Sequence, residues 1–84
     1  MLTVFYLENC PYCRMAKKAV QELQAEIANP KEIQWIEESR QPDVADAYDY
    51  YHVPAIFSGH EKLYECSPAD NYDTIKRHFR QAMA

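Results

Sequence analysis

The sequence predicts an α/β fold, a four-stranded mixed sheet flanked by three helices in the order β-α-β-α-β-β-α. Three observations lead there. Thr3-Val4-Phe5-Tyr6-Leu7 is a short run of β-branched and aromatic residues at the start of the chain, which reads as a strand. Met15, Ala16, Ala19, Val20, Leu23 and Ile27 follow at spacings of three and four, the stripe of an amphipathic helix. Two later apolar runs are separated only by Ser58-Gly59-His60-Glu61, a hairpin turn holding the single glycine of the chain.

Asn29-Pro30 breaks the first helical pattern. Glu32–Glu37 reads as a second strand, parallel to the first because a whole helix lies between them. Pro42-Asp43 suits the start of a second helix, with Val44, Ala47, Tyr48 and Tyr51 on its inner face. Val53–Phe57 is a third strand with Pro54 near its start, where a missing N–H is tolerable. Lys62–Cys66 returns antiparallel. Ser67-Pro68-Ala69-Asp70 has the form of a capping box and predicts a last helix over about 68–81, with Tyr72, Ile75, His78, Phe79 and Met83 inward.

Eighty-four residues suit one domain, 1–84, with one modest core. The chain is 48% apolar and 26% charged with a net charge of −4, as expected of a globular protein. No Lys/Arg stripe with interleaved aromatics marks a nucleic-acid surface. No apolar run approaches the ~18 residues of a membrane span, and no basic leader precedes the first strand. Three cysteines, two of them in C-x-x-C, do not make a secreted disulfide framework, so the expectation is a monomer in a reducing cytoplasm.

Chemistry concentrates at Cys10-Pro11-Tyr12-Cys13, which the pattern places where strand gives way to helix. The first helical turn has unpaired N–H groups and the positive end of the helix dipole, and both stabilise a thiolate. Thiols in C-x-x-C motifs at helix starts titrate at roughly 3.5–7.5 instead of ~8.5. The thiolate attacks disulfides, and a second cysteine one turn away can release the mixed disulfide. Pro11 suits the first helical position, since its missing N–H had no helical partner. A structural zinc site would need a second ligand pair. Cys66, His52, His60 and His78 supply neither another C-x-x-C nor an H-x3-5-H spacing, so no metal is expected.

Cys-Pro-Tyr-Cys, together with Val53-Pro54-Ala55-Ile56-Phe57 and the order of elements, resembles the dithiol glutaredoxins of the thioredoxin superfamily, over essentially the whole chain. The resemblance implies a thioredoxin-like fold and a protein-disulfide oxidoreductase. Cys10 would be the nucleophile, Cys13 the resolving thiol and Pro54 a cis-proline beside them. The backbone of Val53 would pair with the backbone of the substrate as an added strand does. The implied partners are a disulfide-containing protein or a glutathione mixed disulfide, with glutathione as co-substrate. Tyr12, Val53, Pro54, Ser67 and Asp70 would then line its site, and Arg40 would be the one nearby cation. The chain departs from the family at two places. Leu7 stands where a Lys or Arg usually meets a glutathione carboxylate, and Tyr64-Glu65 stands where a Gly-Gly pair lets the backbone approach the ligand. The acids Glu37, Glu38, Asp43, Asp46 and Asp49 would flank the cleft and repel dianionic glutathione. Two other readings stay open. One is a glutaredoxin-like electron donor recharged by a flavoprotein reductase. The other is an iron–sulfur cluster carrier with an idle dithiol, against which Pro11 and Tyr12 count.

Other residues carry weaker signals. Tyr12, between the cysteines, would shape the cleft. His52 reads as a loop histidine or a substrate contact, and Cys66 as a buried strand-end thiol or a third redox site. Lys17 and Lys18 read as a solvated helix face, and Tyr48, Tyr50 and Tyr51 as core and rim.

Overall fold

The computed structural model describes residues 1–84. The chain runs β1 (Leu2–Tyr6), α1 (Pro11–Glu26), β2 (Ile33–Glu37), α2 (Pro42–Ala45), β3 (Ala55–Ser58), β4 (Glu61–Glu65) and α3 (Tyr72–Met83). The sheet order is β2-β1-β3-β4. β1 and β2 are parallel, whereas β3 is antiparallel to both β1 and β4. The strand ends lie within two residues of those the sequence predicts. Gly59 has φ 59°, in the two-residue loop that pairs Ser58 with Glu61. Such a tight hairpin turn demands this left-handed conformation.

Alternation along the strands divides the core between the two faces of the sheet. Val4 and Ile56 point to one face, where Ala16, Val20 and Leu23 of α1 meet Ile75, Phe79 and Met83 of α3. Phe5, Ala55 and Phe57 point to the other, covered by Ala45, Tyr48, Tyr50 and Val53. On the helical face, α1 and α3 are also tied by charge. Lys76 Nζ lies 3.0 Å from Glu22 and 2.9 Å from Glu26, and Arg80 lies 2.9 Å from Glu26. The Tyr72 hydroxyl donates to Glu22.

Two helices differ from the sequence expectation. α3 begins at Tyr72, not Pro68. Its N-cap is Asn71, whose side chain accepts from the Thr74 amide at 2.9 Å. The Ser67–Asp70 box closes only as a turn: the Ser67 amide donates to the Asp70 carboxylate at 3.0 Å and the Asp70 amide to the Ser67 carbonyl at 2.9 Å. Tyr64 Oη donates to the same carboxylate at 2.5 Å, anchoring the turn to β4 instead of starting a helix. Of the predicted inward residues, Ile75, Phe79 and Met83 are buried and Tyr72 and His78 half-buried, with His78 stacked on Tyr64 at 4.1 Å.

α2 is a single turn. Ala45 is its buried residue, whereas Val44 and Ala47 are exposed and Tyr51 is 85% exposed. Asp43, Asp46 and Asp49 are poor helix formers. The irregular segment after α2 lets Tyr48 and Tyr50 reach Phe5 (ring centroids 4.8 and 4.9 Å) and Phe57 (4.9 and 6.0 Å). Aromatic packing over the sheet replaces the expected helix face.

Candidate active site

The β1–α1 junction brings the two cysteines of the motif to one end of the sheet. Cys10 is the N-cap of α1, half-buried, with Pro11 at the first helical position. Its amide is bonded to the Leu7 carbonyl at 3.3 Å, and its carbonyl accepts from the Arg14 amide at 3.0 Å. Cys13, one turn in, is 1% exposed, and its sulfur accepts the Leu7 amide at 3.4 Å. Burial pushes the Cys13 thiol up to about 12, and the neighbouring Cys10 sulfur adds to the rise while the Leu7 amide works against it. The two thiols are therefore unequal: one opens to the surface and one is held protonated inside.

Cys10 opens into a cleft of about 310 Å³. Leu7, Tyr12, His52, Val53, Cys66, Ser67 and Pro68 line it, together with Tyr51 and Glu38. Tyr12 is braced across it by a hydroxyl bond to the Pro68 carbonyl at 2.8 Å. The Val53–Pro54 peptide bond is cis, and Pro54 is buried immediately before β3. Val53 lies outside every helix and strand, and neither its N–H nor its C=O bonds to another backbone group. Glu65 supports this loop. Burial disfavours its charge, but Lys62 at 2.7 Å and the amides of Tyr51 and His52, both at 2.9 Å, hold the carboxyl below its usual range.

Several residues expected at the site lie elsewhere or act differently. Arg40 borders no part of the cleft and sits 3.8 Å from Glu8 in an exposed pair. Asp70 does not line the cleft either; Tyr64 Oη and the Ser67 amide keep its carboxyl charged and below its usual range. Ser67 lines the cleft from a turn, four residues before the helix cap at Asn71. Glu37 is buried: Ser39 donates to it through Oγ at 2.5 Å and its amide at 2.7 Å, and Glu8 through its amide at 3.2 Å. It is a structural carboxylate, held below its usual range first by Ser39.

Cys66 was legible as a buried thiol, but its place in the cleft lining beside Cys10 was not. Burial raises its thiol, and the nearby charges of Asp70 and Cys10 add to this. Of the acids expected to flank the cleft, Glu38 alone lines it. Lys17 is not merely solvated, because its ammonium lies 3.9 Å from the centre of the Tyr6 ring. No three His, Cys, Asp or Glu side chains are grouped to hold a metal ion. No helix is long and apolar enough to cross a membrane.

No family model and no curated protein matches the chain. Among solved structures it is similar to a mutant thioredoxin from Halobacterium salinarum NRC-1, with 25% identity and a TM-score of 0.63. The match covers 99% of this chain and 74% of that one. The fold is thioredoxin-like: a four-stranded mixed sheet in the order β2-β1-β3-β4 with three helices. Similarity to a thioredoxin suggests a thiol–disulfide oxidoreductase.

Proposed function

We propose that this chain is a dithiol oxidoreductase that reduces disulfides carried on extended peptide segments. The observation that carries the reading is the unequal pair at the start of α1, an accessible Cys10 above a buried Cys13. The free backbone groups of Val53 support a peptide substrate, since an extended strand could pair with them across the cleft. Cys10 as thiolate attacks one sulfur of the substrate disulfide, forming a mixed disulfide and releasing the other sulfur as a thiolate. Cys13 then attacks the Cys10 sulfur, its proton passing to the departing substrate thiolate. The substrate gains two electrons, and a Cys10–Cys13 disulfide remains for an external reductant to open.

Two reductants fit this cycle. The Cys-Pro-Tyr-Cys motif supports a glutaredoxin recharged by glutathione. The cleft lining favours the second, a flavoprotein reductase, because it contains no Lys or Arg and its one carboxylate, Glu38, opposes the two carboxylates of the tripeptide. The deciding experiment compares reduction of the oxidised protein by glutathione with that by thioredoxin reductase and NADPH. Faster turnover with the flavoenzyme is expected, and a glutathione route of equal or greater speed would return the protein to the glutaredoxin reading. If neither reductant opens the disulfide and the protein is purified with visible absorption, the cluster-carrier reading replaces both.

A further inference from the structure

Beside the redox cleft lies a second hollow, of about 300 Å³, and Glu38 and Tyr51 line both. Its other walls include Tyr48, Tyr50, Asp46 and Asp49. The floor is rigid, because Tyr48 and Tyr50 are seated on Phe5 and Phe57 of the sheet. Tyr51 is seated on nothing comparable: it is 85% exposed, a large aromatic ring standing between the two hollows.

The carboxylates around these rings are in no ion pair, although Asp49 feels the charge of Lys62. Glu38 accepts a long bond from Tyr50 Oη at 3.4 Å, and none of Glu38, Asp46 and Asp49 has an ion-pair partner. The cations on this side of the molecule are engaged elsewhere, Arg40 with Glu8 and Lys62 with Glu65. Elsewhere, on the α1–α3 surface, Glu22 and Glu26 are matched by Lys76 and Arg80. Tyr48 is stacked on His60 at 4.5 Å, so the exposed ring is that of Tyr51, and its face beside these carboxylates attracts an ammonium or guanidinium group through the ring quadrupole and Coulomb energy together.

We propose that this hollow seats a Lys or Arg side chain near the substrate disulfide, so that the protein prefers peptide disulfides with a cationic flank. The inference rests on the oxidoreductase reading and adds its substrate class. The peptide that crosses the cleft beside Val53 continues past Tyr51, where its cationic side chain meets Asp46, Asp49 and Glu38. Glutathione, with two carboxylates against one ammonium, is net negative and suits this surface less well than a cationic peptide.

The test uses three peptides with the same disulfide and a Lys, Gln or Glu residue on its flank, reacted with the reduced full-length protein under stopped flow. At low ionic strength the Lys peptide should react roughly three- to tenfold faster than the Gln peptide, and the Glu peptide slower still. Salt near 0.5 M should largely erase the difference by screening. The double variant D46N/D49N should bring the Lys-to-Gln rate ratio towards one, and Tyr51→Ala should lower it. Equal rates for the Lys and Gln peptides in the unaltered protein would overturn the proposal, as would a ratio that survives in D46N/D49N. Failure to reduce any of the three peptides would instead remove the oxidoreductase reading beneath it.

Discussion

The two faces of the sheet are built by different means. The face under α1 and α3 is a regular helical layer around Leu23, Ile75, Phe79 and Met83, and Glu22 and Glu26 of α1 are paired with Lys76 and Arg80 of α3. The other face has one helical turn and an irregular segment, held by tyrosines over Phe5 and Phe57, and its carboxylates are left unpaired. Long helices satisfy their own backbone and leave side chains free to close a core. A short irregular cover leaves backbone groups and charges available, and binding surfaces are drawn from such segments. The cleft lies at the end of the sheet where the two constructions meet. It takes Cys10 and Tyr12 from the helical side, and Val53, Tyr51 and Glu38 from the irregular side.

The largest effects should come from the thiols. Cys10→Ser should abolish disulfide exchange. Cys13→Ser should still form mixed disulfides with a peptide substrate but not release them, which mass spectrometry of the trapped species would show. Preferential modification of Cys13 by a limiting thiol reagent in the reduced protein would reverse these roles.

The buried Cys13 thiol carries its own signature. Because burial raises the Cys13 thiol, its thiolate is scarce at neutral pH. Release of the substrate thiol should therefore rise by up to about tenfold per pH unit between roughly pH 6 and 9. A flat profile in single-turnover kinetics would mean that Cys13 is not the attacking group.

Stability should divide along the two faces. Phe79→Ala, which empties a fully buried site beneath the helices, should cost about 3–5 kcal/mol. Tyr50→Ala, which removes a half-buried ring from the irregular cover, should cost roughly 1–2 kcal/mol. Urea denaturation of the two variants gives the comparison directly, and equal losses would mean that both covers bear the same weight.

The joint between β4 and the Val53 loop is sharper still as a probe. Replacing Tyr64-Glu65 by Gly-Gly removes the Tyr64–Asp70 bond and the Glu65 carboxylate that holds the Tyr51 and His52 amides. A loss of about 1–3 kcal/mol is expected, with faster hydrogen exchange at those two amides. Gly-Gly at this place therefore does more than clear space for a ligand, since the native pair holds the cleft loop.

The smallest effect is expected at Leu7. Leu7→Lys adds a cation to a cleft wall that has none. An exposed pair is worth only ~0.2–1 kcal/mol, so apparent affinity for glutathione should improve about fivefold at most. Isothermal titration of both proteins measures this, and a wild-type affinity already equal to the variant's would mean that the cleft does not disfavour glutathione.

The sequence alone determined the features whose causes are local. β1, the stripe of α1 and the placement of Cys10-Pro11-Tyr12-Cys13 at their junction each follow from residues within one or two turns of each other. So does the β3–β4 hairpin, because a two-residue loop with one glycine leaves few alternatives. Tertiary structure decided where local signals competed or were silent. The expected cap at Ser67 gave way to Asn71, because Tyr64 on β4 holds Asp70 in a turn. The predicted inner face of α2 gave way because Tyr48 and Tyr50 reach rings on β1 and β3, contacts that no periodicity within 42–51 encodes. The place of Cys66 in the cleft, the diversion of Arg40 to Glu8 and the exposure of Tyr51 are likewise products of assembly. Each depends on which distant segments the sheet brings together, and the residue itself carries no record of that.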